Sequence, residues 1–80
     1  MNQVIWVKAP SYRDLECKVV RDTTGHYFVR GWKSGPEASR IGLKHVPEPS
    51  EALQLLSFKT PREAMFAAFN ELMRELVRRM

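Results

Sequence analysis

Apolar and polar residues alternate through the first third of the chain and recur at helical spacing through the last quarter. Residues 3–8 hold Val4, Ile5, Trp6 and Val7, a β-branched and aromatic run closed by Ala9-Pro10-Ser11, which predicts a strand followed by a turn. Residues 15–21 set Leu15, Cys17 and Val19 against Glu16 and Lys18, and residues 26–32 are again aromatic and β-branched, so both predict strands. Asp22-Thr23-Thr24-Gly25 lies between them. An aspartate can start the turn and a glycine can take the positive φ that closes it, which predicts a hairpin.

The C-terminal pattern is helical. Thr60-Pro61-Arg62-Glu63 combines a capping box with proline at the first helical position, where no donor is lost, and predicts a helix over 61–79. Met65, Phe69, Leu72, Met73, Leu76 and Met80 fall on one side of it, Phe66 and Val77 widen that side, and Asn70, Glu71, Arg74, Glu75 and Arg78 take the other. The prolines Pro36, Pro47 and Pro49 punctuate the middle of the chain. Residues 40–46 read as a short strand, with a single helical turn over 36–41 as the alternative, and residues 52–58 read as a strand in preference to a two-turn helix. The sum is an α+β fold in a single domain, 1–80: a small antiparallel sheet of three to five strands packed against one long C-terminal helix.

Composition narrows the function more by exclusion than by motif. A chain of 80 residues, 44% hydrophobic and 28% charged, has the makeup of one folded domain. No stretch approaches the roughly 18 apolar residues of a membrane span, and the Val4–Val7 run is short for a signal peptide and has no basic lead-in, so the expectation is a cytoplasmic protein without a membrane partner. Cys17 is the only cysteine and sits in an alternating apolar row, where a free thiol acts as a small buried hydrophobe. With only His26 and His45 beside it, no metal site or cofactor is expected. The glycines form no phosphate loop, the serines no nucleophile elbow and the acids no evident pair, so the chain reads as a binding protein and not an enzyme.

The charge distribution points to where binding occurs. Lys18, Arg21, Arg30, Lys33, Arg40 and Lys44 face only Asp22 and Glu37 between residues 18 and 45, an excess equal to the net +4 of the whole chain. Cations interleaved with Tyr27 and Trp32 suit phosphate-plus-base contact or the anchors of a protein interface; the bland reading is a solvated outer sheet face. If His26, Phe28, Arg30 and Trp32 share one face, that face is a basic-aromatic platform. The candidate site is therefore Lys18, Arg21, Tyr27, Arg30, Trp32, Lys33, Arg40 and Lys44. A second surface is the helix flank Phe66, Met73 and Val77, which either the middle segment covers or a homodimer buries; otherwise the protein is a monomer.

A three-stranded sheet followed by a helix, with Ser57-Phe58-Lys59-Thr60-Pro61-Arg62-Glu63-Ala64 at the junction, resembles the arm-type DNA-binding domain of tyrosine recombinases and the plant ethylene-response DNA-binding domain. That resemblance implies a sheet that enters the major groove. In size and layout the chain is also similar to small phage-encoded inhibitor proteins, including anti-CRISPR proteins, which implies an inhibitor or adaptor. The expected partner is thus an acidic protein surface of a nucleic-acid-handling complex, or nucleic acid directly.

Overall fold

The computed structural model describes residues 2–37 and 46–78. Three strands, β1 (Gln3–Lys8), β2 (Leu15–Arg21) and β3 (Tyr27–Ser34), form an antiparallel sheet in the order β1-β2-β3, and a short helix α1 (Glu51–Gln54) precedes the long helix α2 (Pro61–Arg78). The α+β architecture and the long C-terminal helix are as the sequence pattern predicts.

The hairpin between β2 and β3 closes on Gly25, whose φ of 86° is the left-handed conformation that glycine takes without a Cβ clash. The Asp22 carboxylate holds the turn, accepting from the Thr24 and His26 amides at 3.0 Å each and from the Thr24 hydroxyl at 2.6 Å. These bonds to the charged form, the Thr24 hydroxyl foremost, keep the Asp22 carboxyl below its ordinary range. The turn before β2 uses Pro10 followed by Ser11 at a φ of 71°, a conformation that costs a serine more than a glycine.

Alternation along β2 decides which face meets the helix. Leu15, Cys17 and Val19 are fully buried, as is Val29 on β3, and they pack beneath Ala64, Met65, Ala68 and Leu72 of α2. The small side chains of Ala64 and Ala68 let the helix approach the sheet closely. Burial centres on that alanine stripe and not on the whole expected apolar arc, leaving Phe66 38% and Val77 65% exposed. The helix begins as the sequence predicts: Thr60 Oγ1 accepts from the Glu63 amide at 3.1 Å, and the Glu63 carboxylate reaches back to the Lys59 amide at 3.2 Å.

The segment before α2 departs from the expected strand over 52–58. Ser50 starts a helix instead, because its hydroxyl caps the Leu53 amide while its own amide and hydroxyl donate to the Glu71 carboxylate of α2 at 2.7 and 2.6 Å. Leu53 then turns inward and is buried, whereas Leu55 and Leu56 stay exposed. Of the expected strand only Phe58 pairs with the sheet, through two backbone bonds to Tyr27. Pro36 and Glu37 are helical; the remainder of the turn expected over 36–41 and most of the strand expected over 40–46 lie outside the described residues.

Candidate functional site

The register of the sheet assigns each side chain to a face. Lys18 pairs with Gly31 but Val19 pairs with Val29, so Arg30 is the extra residue of a β-bulge. A bulge shifts the two-residue alternation by one position. Phe28 consequently points away from the helix, while Trp32 lies opposite Cys17 and packs against both parts of the core. Tyr27 likewise faces the helix side and packs against the core.

Tyr27 and Trp32 are thus half-buried against the core on the helix side, and the platform of His26, Phe28, Arg30 and Trp32 does not form as one face, because the bulge at Arg30 intervenes between Phe28 and Trp32. Arg21, at the hairpin end of β2, has helix-side parity and reaches across the turn at Gly25. Arg40 and Lys44 lie outside the described residues.

The outer face keeps Lys18 and Lys33 and adds residues that the charge argument passed over. Across the sheet, Val4, Val20 and Phe28 form one row; Trp6, Lys18 and Gly31 form the next; Lys8, Glu16 and Lys33 form the third. Trp6 is 44% and Val4 49% exposed. The Lys33 ammonium reaches over the Trp6 ring, 5.4 Å from its centroid, and the Arg30 guanidinium stands 5.5 Å from the Phe28 centroid. Lys18 thus stands at the middle of the face, next to Trp6 and Val20, with Lys8, Arg30 and Lys33 toward its edges and Glu16 the one acid in those rows. Arg30 is also a clasp, donating to the Gln54 carbonyl at 2.9 Å and its neighbour's, Val29, at 3.0 Å.

Trp6 and Lys8 were legible as the alternate residues of Val-x-Trp-x-Lys. Placing them with Lys33 required knowing the bulge, for which Gly31 inside a strand was the available signal. A Cβ at Gly31 would meet nothing within 4 Å, so the β3 end of the middle row is open.

Two other polar groupings are held by structural bonds. A cleft of about 390 Å³ between Pro47–Ser50 and Glu71–Arg78 is bridged by the Ser50–Glu71 bonds. His26 Nδ1 lies 2.8 Å from the Thr24 hydroxyl within the exposed turn. Among the described residues no group of three His, Cys, Asp or Glu side chains is placed to hold a metal ion, and no helix is long and apolar enough to cross a membrane. Compared with family models, curated proteins and solved structures, the chain matches none.

Proposed function

We propose that the protein is a non-catalytic binding module, of the inhibitor or adaptor kind, that docks the outer face of its sheet on an acidic surface of a nucleic-acid-handling protein complex. The observation that carries this reading is the apolar row Val4, Val20 and Phe28 with the exposed Trp6, bordered by Lys8, Lys18, Arg30 and Lys33. An apolar cluster bordered by cations suits a protein interface, where tryptophan and arginine are frequent anchors. The cations steer the approach to an acidic partner, and the apolar cluster supplies the desolvated contact.

A second reading, direct nucleic-acid binding, is favoured by the two cation-over-ring pairs, Lys33 on Trp6 and Arg30 on Phe28. Such pairs hold a phosphate contact next to a stacking surface. A titration with random-sequence single-stranded and duplex oligonucleotides at low and physiological salt separates the two. Protein docking predicts no oligonucleotide binding tighter than millimolar even at low salt. Micromolar binding that weakens by about 0.9 decade per decade of salt for each duplex phosphate neutralised would transfer the same face to nucleic acid.

A further inference from the structure

The two edges of the sheet differ. At β3 the edge is occupied: Tyr27 exchanges backbone bonds with Phe58 at 2.9 and 2.8 Å, and Arg30 holds the Gln54 carbonyl. At β1 it is open, since no described residue pairs with its outer side. The bond from the Ala9 amide to the Leu15 carbonyl fixes the phase of the β1–β2 ladder, so Gln3, Ile5 and Val7 turn their peptide groups toward β2. Asn2, Val4, Trp6 and Lys8 turn theirs outward.

The one charge on this edge is Lys8, at its end, and the stretch before it is unprotected. Edge strands are ordinarily blunted by proline, a bulge or an inward-pointing charge, and β1 carries none of these from Gln3 to Val7. Its side chains are apolar on both faces in the middle, with Val4 and Trp6 on one and Ile5 and Val7 on the other, the composition of a strand inside a sheet. Val4 and Trp6 are nevertheless about half exposed, at 49% and 44%.

We infer that the open edge of β1 pairs antiparallel with β1 of a second copy of this chain, joining two sheets into one of twice the width. The strand is complementary to itself. Keeping both outer faces on one side requires each residue to face one of the same parity, and the register centred on Ile5 places Val4 opposite Trp6, Asn2 opposite Lys8, and Gln3 opposite Val7. No lysine meets a lysine. All the outward peptide groups find partners, and Pro10, which has no amide hydrogen, stays beyond the pairing. A shift toward the C-terminal end would set Asn2 against Pro10 and forfeit a donor. An isologous contact of this kind closes as a dimer and leaves no further edge at β1. It would also bring two Trp6 side chains and two sets of cations onto one continuous surface. The inference stands apart from the proposed function, since the pairing requires no partner molecule.

Sedimentation of the full chain over a wide concentration range tests it, together with three variants. The expected result is a rise in mass from 9.3 kDa toward twice that value on concentrating. Val4→Pro removes an amide that faces only the open edge, so it should keep the strand content and stay monomeric. Ile5→Cys, which meets its own copy across the two-fold axis at a non-hydrogen-bonded pair, should cross-link under mild oxidation, whereas Val7→Cys should not. A chain that remains monomeric at millimolar concentration, or binds an added acidic peptide as a strand without dimerising, overturns the inference. So does a dimer that persists in folded Val4→Pro. Should Val4→Pro fail to fold, the cysteine pair decides: cross-linking at Val7, or at neither position, overturns it.

Discussion

Trp6 and Trp32 share a sheet but not a role, because Trp6 pairs with Lys18 on the outer face, whereas the extra residue at Arg30 sets Trp32 opposite Cys17 on the core side. Trp32→Ala should therefore cost about 3 kcal/mol of stability through the cavity it leaves, measured by denaturant unfolding, and act on binding only through the fold. Trp6→Ala should leave the unfolding midpoint within about 0.5 kcal/mol while removing about 2 kcal/mol or more of partner affinity. Two glycines make an equally sharp contrast. A Cβ at Gly35 would stand 2.6 Å from Asp14 Oδ2 and 2.8 Å from Asp14 Cβ, and that same carboxylate accepts from the Glu37 amide. Gly35→Ala is thus expected to lower the melting temperature, at a cost of about 1–3 kcal/mol. Gly31→Ala meets open space and should be neutral or stabilising, by up to about 1 kcal/mol. Burial pushes the Cys17 thiol up to about 12. The native thiol should resist alkylation at pH 8 and react only on unfolding, a contrast that mass spectrometry reads directly. Because the folded pKa is raised, the contribution of the neutral thiol to stability is full below 9.0 and is lost as pH rises toward about 12.

At the scale of elements, a local cap decides where the long helix begins and a distant anchor where the short one does. Thr60→Ala should cost about 1 kcal/mol, seen as a lower melting temperature with binding unchanged, since the hydroxyl that caps the Glu63 amide lies on the helix and not on the outer face. That start was readable from Thr60-Pro61-Arg62-Glu63 because every group involved lies within four residues. The strands over 3–8 and 15–21 were readable for a similar reason, two-residue alternation and bounding turn residues. The start at Ser50 was not, because it depends on Glu71, 21 residues further along the chain. Without that anchor, Leu53, Leu55 and Leu56 fit a strand as well as a helix. The candidate site suffered from the same limit. Lys18, Arg30 and Lys33 could be picked out by charge, but the facing of Tyr27, Phe28 and Trp32 turns on a single inserted residue, and a shift by one reverses every side chain after it.

Across the whole molecule, charge and apolar surface are segregated in a way that composition alone does not reveal. The outward face of α2 mixes Arg62, Arg74 and Arg78 with Glu63 and Glu75, and Arg78 pairs with Glu75 at 3.6 Å. On the outer face of the sheet the cations border Trp6 and Phe28 with Glu16 as the counter-charge. The central claim is that this sheet face, and not the helix, meets the partner. It is tested most directly by a photo-reactive phenylalanine derivative placed at Gly31, at the open β3 end of the middle row and away from the β1 edge, against the same group at the exposed Asn70 of α2. After irradiation in cells the account predicts a discrete protein adduct from position 31 that Trp6→Ala abolishes, and none from position 70. An adduct from position 70 alone, or one from position 31 that survives Trp6→Ala unchanged, would contradict it.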